Sequence, residues 1–256
     1  MNTSGYDYGR RGILGIGTPQ ANPTVEAEMH ILFPPTVALA AVRHTSVAKE
    51  PLDRLRDYLW GLPQALTQFD SLQPAVFGFA CTGPSYLVST ETQATLVASL
   101  EQRFGYPIVT ATDAITWQLN RIGAKRIALA SPYPAALSEA AHAFWQAAGF
   151  EVAEVRRIDT GIADTRGIYT LGSADARATA EEMRALPVDA VLLSGTGMPS
   201  LTLIAEADRT AGPPLISSNL CIAMRMCDVA GIAMPPVSEW SERLAQATAK
   251  PTGNIS

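Results

Sequence analysis

Cys81 is the residue of this 256-residue chain best placed to do chemistry. It ends an apolar run, Ala75-Val76-Phe77-Gly78-Phe79-Ala80-Cys81, and small polar residues follow at once, Thr82-Gly83-Pro84-Ser85. The run reads as a buried parallel strand, and the polar residues read as a turn into a helix. A thiol at such a junction faces backbone N–H groups and the positive end of a helix dipole, both of which favour thiolate over thiol. That sulfur would serve as a nucleophile or in proton transfer. A buried structural cysteine fits the same context.

Three other places carry polar groups at strand ends. The apolar run 190–195 closes on Ser194-Gly195-Thr196-Gly197-Met198-Pro199-Ser200, a weak echo of the Cys81 turn about half a chain away. Ser131-Pro132-Tyr133-Pro134 sets a phenol after another strand, where Tyr133 either donates to a carboxylate or oxyanion or simply packs. Asn22, in Thr18-Pro19-Gln20-Ala21-Asn22-Pro23-Thr24-Val25-Glu26, offers an amide beside a helix start, where a capping role is equally open. Cys221 and Cys227 sit among apolar residues with Met224 and Met226 and read as inert core.

The elements that must position these groups alternate between strand and helix, the signature of an α/β fold with parallel sheets. Strands are predicted at 12–17, 37–44, 75–81, 107–111, 126–132, 151–158, 190–195 and 215–218. Helices are predicted near 24–32, 51–69, 91–103, 112–122, 135–148, 173–186, 200–209 and 219–230. Two similar four-stranded lobes facing each other would account for the echo. Ligands bind outside the carboxyl ends of parallel strands, so both turns would look into one cleft. The division this implies is 1–112 for the first lobe, completed by a helix at 219–234, and 113–218 for the second. Residues 235–256 read as a polar tail, disordered from about Lys250, and 1–11 as a frayed extension.

Several functions are excluded. The first strand, Gly12-Ile13-Leu14-Gly15-Ile16-Gly17, resembles a dinucleotide fingerprint, but Gln20 stands where its third glycine belongs and Pro19 sits in the turn. Gly83-Pro84-Ser85-Tyr86-Leu87 lacks the closing glycine of a nucleophile elbow. The histidines are His30, His44 and His142, without ligand spacing, so neither a metal nor another cofactor is expected. Net charge is −5 with no Lys/Arg stripe, which argues against nucleic acid. No segment has the roughly 18–20 apolar residues of a membrane span, and the N-terminus lacks a signal-peptide core. Three cysteines without paired spacing point to a reducing, cytoplasmic setting. A homo-oligomer stays open.

Taken together, these turns resemble the aspartate/glutamate racemase superfamily, in its maleate isomerase and arylmalonate decarboxylase branch. The resemblance runs from about Gly12 to Ile232. It rests on Pro19-Gln20-Ala21-Asn22-Pro23-Thr24-Val25-Glu26-Ala27-Glu28-Met29, which is similar to P-S-S-N-x-T-V-E-x-E-M, and on Phe79-Ala80-Cys81-Thr82-Gly83-Pro84-Ser85, similar to A-C-T-S-G-S. Ser131-Pro132-Tyr133, Leu193-Ser194 with Met198-Pro199-Ser200-Leu201, and Ile216-Ser217-Ser218-Asn219 follow in family order. The resemblance implies a cofactor-independent enzyme of two pseudo-symmetric α/β lobes. Its active site would lie between them, with the last helix packed back on the first lobe. It further implies that Cys81 adds to a substrate double bond, while Asn22 and Tyr133 hold carboxylates.

The departures from the family shape the chemistry. Racemases and maleate isomerases usually carry a second cysteine in the second-lobe turn, and decarboxylases keep that one and lose the first. Here the second turn reads Ser194-Gly195-Thr196-Gly197, so only Cys81 remains. A second family asparagine falls near Asp164-Thr165, and Thr165 is a shorter clamp. Two-base racemisation needs an acid and a base on opposite faces of the carbon, which one thiol does not supply. Conjugate addition needs one nucleophile and an oxyanion site. Ser194, Gly195 and Thr196, with Thr82, Gly83 and Ser85, would line two anion pockets through hydroxyls and N–H groups. The expected function is therefore isomerisation of a small, maleate-like carboxylic acid through a Cys81 adduct. The alternatives are a cofactor-free decarboxylase of malonate-type acids with Cys81 as proton donor, and a catalytically silent carboxylate binder.

Overall fold

A computed structural model describes residues 7–249. Its first half runs β1 (Gly12–Pro19), α1 (Val25–Leu32), β2 (Val37–His44), α2 (Pro51–Trp60), α3 (Leu62–Leu66), β3 (Phe77–Phe79), α4 (Thr90–Phe104), β4 (Ile108–Thr110) and α5 (Ala111–Arg121). The second half runs β5 (Arg126–Ser131), α6 (Ala135–Ala147), β6 (Glu151–Arg157), α7 (Arg177–Arg184), β7 (Ala190–Leu193), α8 (Leu201–Ala207), β8 (Leu215–Ser217), α9 (Ser218–Val229) and α10 (Val237–Thr248).

The strands form two four-stranded parallel sheets, in the orders β2-β1-β3-β4 and β6-β5-β7-β8. Matching β5–β8 to β1–β4 makes the orders identical, so the chain holds two copies of one α/β unit. The inner strands β1, β3, β5 and β7 are buried almost throughout, as expected of parallel strands covered by helices on both faces. Edge strands β2 and β6 are only half-buried. Helix α9 packs back on the first lobe, where Met226 and Ile222 lie over Gly78 of β3.

The structure departs from the predicted elements in three places. The single helix expected at 51–69 breaks into α2, α3 and a 3₁₀ turn at Thr67–Phe69. Pro63 explains the break, because it has no N–H to donate to the preceding turn. Residues 237–248, read as tail, form α10, whose Trp240 is buried against the body of the protein. A 3₁₀ segment at Thr165–Thr170, unforeseen in the sequence, lies between β6 and α7. The disorder expected from Lys250 and most of the frayed N-terminus fall outside the described residues.

His44 ends β2 fully buried, with its ring edge-on to Phe79 at 4.9 Å and neither ring nitrogen hydrogen-bonded. Its Nε2 packs directly over the Cα of Gly17, where any side chain would collide with the imidazole. Burial lowers its pKa from 6.5 to about 4. A base whose pKa is lowered by folding contributes stability above its unfolded pKa and loses it as pH falls. Acidification from pH 6.5 to about 4 is therefore expected to cost up to roughly 3 kcal/mol through this one group. Denaturant titrations across that range should show the slope in the parent protein and a flatter profile in His44→Leu. An unchanged profile would show that His44 is not its source.

Candidate functional site

The sulfur of Cys81 lies two residues beyond β3, at the carboxyl end of the first sheet. The residues that follow form only a 3₁₀ turn, Gly83–Tyr86, and α4 does not begin until Thr90. One 3₁₀ turn has little of the dipole of a full helix, so the expected thiolate support is mostly missing. Cys81 is buried, and burial pushes its thiol pKa well above the ordinary value; a hydrogen bond from the Gly83 N–H opposes this. Burial at this position favours the neutral thiol, whereas the strand-end context in the sequence points to thiolate.

Cys81 nevertheless faces the opposite lobe. It borders a cavity of about 20 Å³ shared, on the first-lobe side, with Pro19 and with Arg54, Leu55 and Tyr58 of α2. The second lobe contributes Tyr133, then Thr165, Ile168 and Tyr169 of the 3₁₀ segment, and the Gly195–Gly197 turn. That volume admits about one water molecule. It is too small for a four-carbon diacid. Larger grooves of about 530 and 570 Å³ lie along α7–α8 and beside α9–α10; the first has no thiol, and the second is bordered by the buried Cys227, but neither lies between the two sheet ends that carry the Cys81 and Gly195 turns.

Gly195 occupies the place in the second lobe that Cys81 occupies in the first, two residues past the corresponding strand. Its φ of +115° is one that residues with side chains rarely adopt, and a Cβ there would approach the Tyr133 hydroxyl. The backbone therefore brings the second turn close to Tyr133 without a side chain between them.

The other predicted site residues divide sharply. Cys81, Tyr133, Gly195 and Thr196 border the cavity. Asn22 does not: its Oδ1 accepts from Thr24 N at 2.8 Å and Val25 N at 3.2 Å, capping the start of α1, while its Nδ2 donates across the lobes to Thr196 Oγ1 at 3.3 Å. Thr196 Oγ1 in turn donates to Ala80 O at 2.9 Å. Ser194 Oγ pairs with Tyr86 OH at 3.0 Å, and that phenol accepts from Trp145 Nε1 at 3.1 Å. Thr82 Oγ1 donates to Ser218 Oγ at 3.1 Å. Gly83 supplies the N–H to the sulfur, and the Ser85 hydroxyl is buried without a partner. Asn22, Thr82 and Ser194 thus join elements across the lobes around Cys81 rather than lining the cavity.

Behind the second turn, Glu28 of α1 is fully buried and reaches into the other lobe. It accepts from Ser200 N at 2.7 Å, Leu201 N at 3.2 Å and Asn219 Nδ2 at 2.7 Å. Burial raises its pKa, and these hydrogen bonds pull the other way.

Sequence reading missed Arg54, Tyr58 and Tyr169. Burial raises the pKa of both phenols, that of Tyr58 to about 12, and Tyr133 is likewise raised well above its ordinary value, so all three are neutral donors. Arg54 is buried beside them and pairs with Asp164 at 2.6 Å across the lobes. A signal was present in the sequence. Arg54, Leu55, Tyr58 and Leu59 share the buried face of α2, so an arginine sits on an apolar stripe.

The fold and site define a two-lobed α/β protein with a single thiol at the inner junction of its repeats. The chain belongs to the arylmalonate decarboxylase family, whose model matches residues 14–239, in the branch that includes maleate isomerases. The maleate isomerase of Nocardia farcinica is 25% identical over 220 residues, spanning 80% of this chain and 84% of that protein. The arylmalonate decarboxylase of Bordetella bronchiseptica is 28% identical over 146 residues, 57% of this chain and 60% of that protein. In three dimensions the chain matches a cysteine-to-serine mutant of the Nocardia farcinica maleate cis-trans isomerase with a covalently bound succinylcysteine intermediate. The TM-score is 0.74 at 22% identity, over 87% of this chain and 95% of that one. Family and relatives make this chain an enzyme. Among the described residues no helix is long and apolar enough to cross a membrane, and no cluster of three or more His, Cys, Asp or Glu is fit to hold a metal ion.

Proposed function

We propose that the protein is a cofactor-independent isomerase that converts a small, maleate-like dicarboxylic acid from cis to trans through an adduct on Cys81. The observation that carries this reading is a solitary thiol that shares a cavity across the lobes with Gly195 and Thr196, a turn with no acid or base to act on the far face. That arrangement suits addition and elimination from one side.

The chemistry balances without an external base. Sulfur bonds to one alkene carbon and the thiol proton ends on its neighbour, giving a saturated succinyl thioether. The former double bond is now single and rotates. Loss of the neighbouring C–H proton and departure of the sulfur regenerate the alkene in its trans form and return the proton to Cys81. A thiol kept neutral by burial carries the proton this cycle requires. Neutral phenols at Tyr58, Tyr133 and Tyr169 would donate to the carboxylates as negative charge builds on the attacked acid. The succinylcysteine intermediate of the Nocardia relative supports the addition step.

Incubation with maleate, followed by proton NMR and intact-protein mass spectrometry, is expected to show fumarate and a transient mass increase of one maleic acid. Absence of both would sink the proposal. One observation favours a second reading. A protonated, buried Cys81 is also what a decarboxylase needs as proton donor to a malonate-derived enediolate. Carbon dioxide release from phenylmalonate, without fumarate from maleate, would establish it. Binding of both acids with turnover of neither would leave a silent carboxylate binder.

A further inference from the structure

We propose that Arg54 is the carboxylate-binding residue of the Cys81 cavity and makes it selective for substrates with a second acid group. The inference rests on the dicarboxylate reading above and identifies how the second charge is recognised. Arg54 sits in the first turn of α2, at the positive end of the helix, where a cation is disfavoured. It is also 3% exposed, so its charge is removed from water at a cost that needs compensation. Its Nη1 reaches the carbonyls of Ala48 and Lys49 at 3.4 and 3.3 Å, and its Nη2 reaches Asp164 Oδ1 at 2.6 Å and Thr165 Oγ1 at 3.3 Å.

Asp164 does not belong to Arg54 alone. The same carboxylate accepts from the guanidinium of Arg166 at 2.7 Å and from its backbone N–H at 2.8 Å. Among the described residues Asp164 is the only carboxylate paired with Arg54. One carboxylate between two guanidinium groups leaves one positive charge uncompensated, and the buried member of the pair is the one that borders the cavity with Cys81. An anion entering the cavity completes the set. Thr165, a short clamp at the position where the family resemblance puts an amide, stands within hydrogen-bond reach of the same guanidinium. Arg54 therefore supplies from the first lobe what Thr165 does not supply from the second.

Isothermal titration calorimetry with maleate and its monoamide, maleamate, tests this on binding rather than turnover. The parent protein is expected to bind maleate about 10–100-fold tighter than maleamate, the worth of a charge-assisted pair. Arg54→Gln should collapse that ratio to within about threefold, by weakening maleate and leaving maleamate nearly unchanged. Asp164→Asn, which frees Arg54 from its competitor, should tighten maleate binding several-fold, and it carries the test if Arg54→Gln does not fold. Equal weakening of both ligands, a preserved ratio, Asp164→Asn no tighter than the parent, or no binding of maleate to the parent would each overturn the proposal. The isomerase reading fails separately, when maleate binds selectively and neither fumarate nor adduct forms. The Arg54 inference fails when a protein that turns maleate over shows no discrimination.

Discussion

Cys81→Ser is expected to lower turnover of maleate by about a thousandfold or more while leaving the fold in place. The substitution keeps a small hydroxyl in the Gly83 N–H hydrogen bond, so the melting temperature should move by no more than about 2–4 °C. What disappears is the nucleophile: an alcohol adds to an electron-poor double bond far less readily than a thiol. No other thiol substitutes, because Cys221 and Cys227 are buried on α9 and do not border the cavity. The adduct seen by intact mass should vanish along with fumarate. A serine variant that kept a tenth or more of the parent rate would remove Cys81 from the chemistry. The same variant tests the decarboxylase reading, since a serine hydroxyl is also the poorer proton donor.

The largest expected effect on stability comes from Glu28→Ala. The parent carboxylate ties α1 of the first lobe to the start of α8 and to Asn219, all inside the protein. Truncation leaves the Ser200 and Leu201 N–H groups buried without an acceptor and opens a void. The expected loss is about 3–5 kcal/mol, several times that of an average surface change. Glu28→Gln keeps the volume and one acceptor oxygen but turns an NH₂ toward a donor, and it should lose about half as much. Chemical denaturation of the two variants against the parent measures both differences. A loss under about 1 kcal/mol for the alanine variant would mean that the lobes hold together without this carboxylate.

Much of this protein is legible in its sequence, and the legible part is local. Apolar runs at 12–17, 126–131 and 190–193 announce buried strands because parallel sheets covered on both faces leave no polar alternation. The Cys81 turn and its echo at 194–197 stand out because small polar residues end such runs abruptly. The two-lobe reading follows from that echo, and the repeated strand order bears it out. Helix α10 was readable too: Pro235-Pro236 precedes a stripe of Val237, Trp240 and Leu244, but scattered prolines and charges gave it the look of a tail.

The site was legible only in part. Asn22 carries the right side chain for a carboxylate clamp, and its motif matches the family, yet its oxygen is spent on the first turn of α1. Arg54 is the converse case: its place on the apolar stripe of α2 is readable, but its neighbours Asp53, Arg56 and Asp57 are charged and its side-chain partners, Asp164 and Thr165, come from the other lobe.

The sequence by itself determined the strands of the two sheets, the turn that carries Cys81 and the absence of a cysteine from the second turn, since each is read from residues a few positions apart. Tertiary structure alone decided the desolvation of that thiol, the closure of its cavity to about 20 Å³ and the burial of Arg54 beside it. The reason is dielectric: whether a group is charged depends on how much water the whole fold removes from it, and that removal is done by segments far away along the chain.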